Sequence, residues 1–409
     1  MKLFTPYKLG NLELKNRSIR SAAFENMGKN YSPTAQLLDY HTSVAKGGVG
    51  MTTVAYASVN RSGISFDGQL WVRPEIIPEL KKMTDQIHLH GAKASIQLGH
   101  CGNMTHYKTA GQIPVGASSG FNLYSPTIVR GLKENEILQI VEDFGKAVKM
   151  VKEAGFDCVE IHAGHGYLIS QFLSPYTNRR RDKFGGSLEN RMRFMCLVIN
   201  EVMAAAGNEI AVVVKTNMYD GFKSGMQHAE CLQVAKELEM LGVDGLVLTA
   251  GFVSKAPMTV MHGAMPIKTL AYYMNMKKYW WLKAMIRLFG KFMMKSQPFS
   301  EAYFLEDAKK FRAELKLPLI YVGGLISGEK IEEVLDAGFE LVQMARVLIN
   351  NPNFINDLQT NGLTYRSECK HSNYCIGRMY SEPFKCHHCV ENLPEKLQKE
   401  IEKAEKTKN

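Results

Sequence analysis

Eight strand-length apolar runs recur along the 409-residue chain, each followed by a longer stretch of helical periodicity, and this alternation is its strongest constraint. The runs lie at about 16–23 (NRSIRSAA), 49–55 (VGMTTVA), 93–98 (KASIQL), 157–162 (DCVEIH), 210–215 (IAVVVK), 244–249 (DGLVLT), 318–322 (PLIYV) and 340–344 (ELVQM). Between them stand amphipathic segments such as ILQIVEDFGKAVKMVKEAG and AECLQVAKELEMLG. Strands that alternate with helices of this length pair in parallel through right-handed crossovers, and eight such units close into a barrel. The expected fold is therefore an α/β (β/α)8 TIM barrel over residues 1–360, with an insertion at 251–300 and an extension at 361–409. Active sites of such barrels lie at the carboxyl ends of the strands. Gln97, His162 and Lys215 each fall at that end.

Composition agrees with one large soluble enzyme. Hydrophobic residues make up 45%, which suffices for a sizeable core. The N-terminal MKLFTPYKLGNLELKNR has no apolar run of signal-peptide length, and nowhere do 18 apolar residues follow one another. A cytoplasmic location is expected. The net charge of +10 is concentrated: Gly245 to Ser300 holds eight Lys or Arg and no Asp or Glu. That localisation argues against a nucleic-acid surface. Cys101, Cys158, Cys196 and Cys231 stand singly in barrel-like segments and read as small buried hydrophobes.

Chemistry gathers after the fourth run. His162, His165 and Tyr167 lie within six residues, followed by a loop rich in Ser, Pro, Asn, Arg and Gly. Two imidazoles can donate hydrogen bonds to one substrate oxygen while a phenol protonates a neighbouring carbon. The segment HAGHGYLISQFLSPYTNRR with DKFGGSLENR, the start LFTPYKLGNLELKNR, and IQLGHCG around Gln97 resemble the signatures of the Old Yellow Enzyme family. These are FMN-dependent ene-reductases built on a (β/α)8 barrel, and the resemblance runs from about Leu3 to about Phe354.

What the resemblance implies can be placed residue by residue. Ser21, Ala22 and Ala23 match the segment whose backbone faces the flavin edge, although Ala23 and Phe24 stand where the family often has Thr or Cys. Tyr56, just after the second run, stands where a small residue usually contacts the ring. Gln97 matches the glutamine that pairs with the pyrimidine edge, and Lys215 the basic residue beside it. Phosphate needs backbone amides and close approach. Gly323 and Gly324 after the seventh run, with Ala345 and Arg346 after the eighth, occupy the loops where such barrels bind it. The implied reaction is reduction of FMN by NAD(P)H, then hydride transfer to an electron-poor alkene. His162 and His165 would hold the substrate carbonyl and Tyr167 would deliver the proton. Oxidative running as a dehydrogenase or demethylase, or a non-catalytic flavin-binding module at a membrane surface, are the alternatives.

Two segments depart from the barrel rhythm. Within the insertion, Trp281, Met285, Leu288, Phe289 and Phe292 recur at helical spacing beside Lys283, Arg287 and Lys291. A basic amphipathic helix over 274–295 suits a cap on the barrel, packing in a homo-oligomer, or peripheral membrane contact. In the extension, Cys369, Cys375, Cys386 and Cys389 resemble the [4Fe–4S] motif of dienoyl-CoA reductases. Ser372 replaces one expected cysteine, and Cys389 is additional. A cluster or zinc is the implied ligand, with reduced structural thiols as the alternative.

Overall fold

The computed structural model describes residues 1–122, 125–274 and 296–406. Its centre is a closed parallel barrel of eight strands: β1 (Ser18–Arg20), β2 (Met51–Ser58), β3 (Lys93–Gly99), β4 (Cys158–His162), β5 (Ala211–Asn217), β6 (Gly245–Thr249), β7 (Leu319–Val322) and β8 (Leu341–Met344). Each strand pairs with the next, and β8 closes on β1 through Val342↔Ser18 and its neighbours. All eight runs read from the sequence are barrel strands. Two edges differ. β5 continues two residues past Lys215 to Asn217, and Tyr56 lies inside β2 rather than after it.

Eight helices form the outer ring: α1 (Ala35–Lys46), α2 (Ile77–Leu89), α3 (Glu134–Glu153), α4 (Leu188–Ala206), α5 (His228–Met240), α6 (Leu305–Arg312), α7 (Gly328–Asp336) and α8 (Phe354–Asn361). Their apolar stripes pack on the barrel wall; in α3 the buried stripe is Ile137, Ile140, Val141, Phe144, Val148 and Val151. Thr34, Ser187 and Ser327 cap α1, α4 and α7 by accepting from backbone amides in the first turn.

At the amino ends of the strands, a hairpin of Tyr7–Leu9 and Leu12–Leu14 turns its leucines inward. Leu9, Leu12 and Leu14 join Ile19, Met51, Val213, Val247, Ile320 and Leu341 in a separate apolar cluster that plugs the barrel floor. The opposite end stays open and is roofed by chain that follows β6 and β8. A short helix, Ile267–Tyr273, packs against Tyr374–Arg378 and Glu395–Lys406 of the extension. The amphipathic segment expected over 274–295 lies outside the described residues apart from Met274. Among the described residues no helix is long and apolar enough to cross a membrane.

Candidate active site

One cavity of about 920 Å³ occupies the open end of the barrel. All three residues expected to act on substrate and all ten expected to hold the cofactor line it, brought together from β1, β2, β3, β4, β5, β7 and β8 and the loops that follow them. Sequence positions more than 300 residues apart thus meet in one place. Ser21 donates its backbone N–H to Met344 O at 2.9 Å, which ties the two ends of the sheet together at this cavity.

The histidine turn is built by backbone that few residues adopt. His165 has φ +60° and Gly166 φ +83°. A Cβ on Gly166 would lie 2.5 Å from the Phe252 ring, so only glycine fits there. The left-handed pair folds the chain back, placing the His162 and His165 rings 5.2 Å apart and Tyr167 4.6 Å from His162. Asn217 holds this turn: its Oδ1 accepts from the His165 backbone N–H at 3.1 Å, while its Nδ2 donates to Gly251 O and Asp220 Oδ1. His165 Nε2 meets Thr249 Oγ1 at 2.9 Å, and His162 Nδ1 is buried with no partner among the described residues.

Electrostatics fix the protonation of the trio. Burial, reinforced by the positive charge of Lys215, lowers His165 to about 3. Burial, with His165 and Lys215 adding to it, holds His162 well below the usual histidine range. Burial pushes the Tyr167 phenol above its ordinary value. At neutral pH the site therefore offers two uncharged imidazoles, each with one N–H, and a protonated phenol. Tyr56 sits where β2 shifts register between Val54 and Ala57, a bulge that aims its ring at Tyr167 (5.1 Å) and His162 (6.3 Å). Its hydroxyl is engaged by Ser65, which leaves the ring as packing surface.

Beneath the cavity is a residue the pattern of apolar runs concealed. Glu160, fully buried in β4, receives Lys215 Nζ at 2.7 Å and Gln97 Nε2 at 2.6 Å on one oxygen, and Gln343 Nε2 at 2.7 Å on the other. Ser21 Oγ donates to Gln343 Oε1 at 3.0 Å. The Gln97 amide nitrogen gives one of its two N–H groups to the carboxylate, which leaves its second N–H and its carbonyl oxygen for the cavity. Glutamate inside FDCVEI reads as a break in an apolar run; only barrel closure makes it the hub of a polar floor.

These features fit a flavin. An acceptor from Gln97 beside the Lys215 ammonium suits the N–H and electron-poor carbonyl edge of an isoalloxazine. At the far end, Gly323 (φ +150°) and Gly324 (φ +71°) adopt backbone that favours glycine, and a Cβ on Gly324 would strike Tyr303 at 2.6 Å. Arg346 is beside them, its Nη1 donating to His262 O and Asn373 Oδ1, both at 2.7 Å. No described carboxylate neutralises it, so its charge remains for a phosphate.

The family model for the NADH:flavin oxidoreductase / NADH oxidase family matches residues 2–281. The chain belongs to this family. As a member it is a flavin-dependent oxidoreductase with nicotinamide as its reductant. It is 34% identical over 381 residues to a 4,4'-dithiodibutanoate disulfide reductase of Rhodococcus erythropolis, covering 93% of each chain. It is 32% identical over 362 residues to an NADPH dehydrogenase of Listeria monocytogenes serotype 4b, covering 87% of this chain and 94% of that one. Among solved structures, an old yellow enzyme homologue from Zymomonas mobilis superposes with a TM-score of 0.71 at 21% identity, over 93% of this chain and 97% of that one. A 2-naphthoyl-CoA reductase superposes with a TM-score of 0.79 at 23% identity; the match covers 94% of this chain and 56% of that longer one. The barrel fold expected from the alternation of strands and helices is the fold of these neighbours.

The cysteine extension does more than its sequence suggests. Phe384 donates its backbone N–H to Glu25 O, Asn373 Nδ2 donates to Met261 O and Ala264 O, and Cys375, Met379 and Tyr380 line the cavity. Burial pushes the Cys375 thiol up to about 12. Of the four cysteines expected to bind a metal, Cys386 joins His387 and His388 in a group whose ligand atoms lie within 4.8 Å of one another. Cys369, Cys375 and Cys389 are outside that group, which therefore supplies one thiolate and two imidazoles rather than the four thiolates of a cluster shell.

Proposed function

We propose that this enzyme reduces an activated carbon–carbon double bond, an α,β-unsaturated carbonyl compound, at the expense of NAD(P)H. The observation that carries the reading is the trio of His162, His165 and Tyr167, uncharged and gathered over the cavity that the flavin-binding residues line. Bound flavin supplies two-electron chemistry, accepting hydride from the nicotinamide and returning it to the alkene. The protein supplies orientation and protons. N–H groups of His162 and His165 donate to the substrate carbonyl oxygen and draw negative charge away from the double bond. Their low proton affinity keeps them donors of a single proton each rather than cations, so the reaction proceeds without losing a proton to them. Tyr167, held protonated by burial, delivers its proton to the α-carbon as hydride arrives at the β-carbon.

Tyr167→Phe should slow alkene reduction by about a hundredfold to ten-thousandfold, the usual worth of a general acid, while flavin reduction by NADPH stays nearly unchanged. Stopped-flow measurement of the two half-reactions separates them; equal losses in both would remove Tyr167 from the acid role. A second reading is reductive cleavage of a disulfide at the same site, and likeness to the disulfide reductase along 93% of the chain favours it. Hydride would go to one sulfur and the Tyr167 proton to the departing thiolate. Supplying 4,4'-dithiodibutanoate and a cyclic enone to the reduced enzyme in parallel tells which reoxidises it faster.

In the extension, one thiolate with two imidazoles suits zinc better than an iron–sulfur cluster. Metal analysis of anaerobically purified protein tests this. Homo-oligomer formation and peripheral membrane contact through 274–295 complete the proposal, to be read by light scattering and liposome co-sedimentation.

A further inference from the structure

The cavity walls carry charge of only one sign. The chain has 40 Asp and Glu, yet none is among the described residues that line the cavity, whereas Arg179, Lys215, Lys255 and Arg346 all do. Two of these four have assigned work. Lys215 is paired with Glu160 at 2.7 Å in the floor, and Arg346 stands at the phosphate end between His262 and Asn373. Arg179 and Lys255 are left. Both are exposed at the mouth, and no described carboxylate pairs with either.

Their positions are set by the catalytic loops. Arg179 donates through Nη2 to Ser119 O at 2.7 Å, and its backbone N–H to Ser118 Oγ at 2.9 Å, so the guanidinium is held at the rim with donors to spare. Lys255 is on the loop after β6. That loop is pinned to the histidine turn, since Val253 donates its backbone N–H to His165 O at 3.0 Å. The Lys255 ammonium lies 5.9 Å from the centre of the Tyr176 ring, three residues before Arg179. Tyr176 thus links the two cations, which line the same cavity, and the loop that carries Lys255 is the one fastened to the histidine turn.

We propose that Arg179 and Lys255 form an anion-binding subsite for a carboxylate or phosphate group of the molecule that enters over the flavin. The inference rests on the alkene-reductase reading for its substrate arm alone. Two sources share this chemistry: an acidic tail on the alkene, and the phosphates of the nicotinamide dinucleotide. Rigid recognition of oxyanions by Arg, with a point charge from Lys, is the ordinary means of steering such groups into a cleft.

The test compares wild type, Arg179→Met, Lys255→Met and the double variant as FMN-loaded enzymes. One arm measures kcat/KM for an enone bearing a terminal carboxylate against its methyl ester. The other measures the Kd of NADPH in the reductive half-reaction, at low and high salt. An acidic tail as the source predicts that wild type prefers the acid and that each substitution cuts this preference about three- to fivefold, as expected of exposed ion pairs. High salt should do the same. Dinucleotide phosphates as the source predict weaker NADPH binding by a similar factor, with the acid-to-ester ratio unmoved. Both quantities unchanged within experimental error in the double variant would overturn the subsite. If neither enone is reduced at all, the alkene reading fails while the NADPH arm still decides the subsite.

Discussion

A carboxylate such as that of Glu160, with no exposure to water, is sustained only by partners, and it has three: Lys215, Gln97 and Gln343. Neutralising it leaves the Lys215 ammonium uncompensated beside the flavin, which favours the reduced, more negative form of the ring. Glu160→Gln should accordingly move the midpoint potential of bound FMN to more positive values, measured by dye-coupled equilibration. An unchanged or more negative potential would show that Glu160 only packs. Glu160→Ala, which strands a buried cation, should also destabilise the fold by about 3–5 kcal/mol in chemical denaturation. At this scale the sequence was informative where side chains are rare and grouped. His162, His165 and Tyr167 announced themselves within six residues and meet as expected. Glu160, Asn217 and Thr249 did not, because their roles exist only across strands: Glu160 pairs with Gln97 in register, and Thr249 reaches His165 from β6.

Elements show the same division. Strand and helix periodicity is local, so all eight barrel strands could be placed, whereas strand ends were displaced where polar residues continue the ladder, as Thr216 and Asn217 do in β5. The extension was legible as cysteine-bearing but not as part of the cavity wall, since nothing local says that Asn373 will grip the loop after β6. That grip makes a further prediction. Asn373 accepts from Arg346 and donates to Met261 O and Ala264 O, so Asn373→Ala leaves the arginine anchored by His262 O alone and two carbonyls unpaired. Losing such bonds costs about 1–3 kcal/mol. FMN release, followed by the rise in free flavin fluorescence on dilution, should be about tenfold greater in the variant; unchanged retention would mean the extension covers the site without holding it.

For the whole molecule, buried neutral histidines set an acid limit. His100 and His165 are both lowered to about 3, chiefly by burial, and burial with His165 and Lys215 adding to it holds His162 well below the usual histidine range. In the unfolded chain such residues take up protons near pH 6.5. Below that pH the unfolded state binds more protons than the folded one, so stability is complete above about 6.5 and falls as pH drops toward 3. Denaturation midpoints measured at pH 7.5 and pH 5 should decline on acidification, before the carboxylates titrate. The leucine-lined hairpin under the barrel has a kinetic corollary. With Leu9, Leu12 and Leu14 stoppering the far end, reductant and oxidant have to queue for the same doorway. Each should therefore obstruct the other, and turnover should pass through a maximum and decline as NADPH is raised at fixed acceptor.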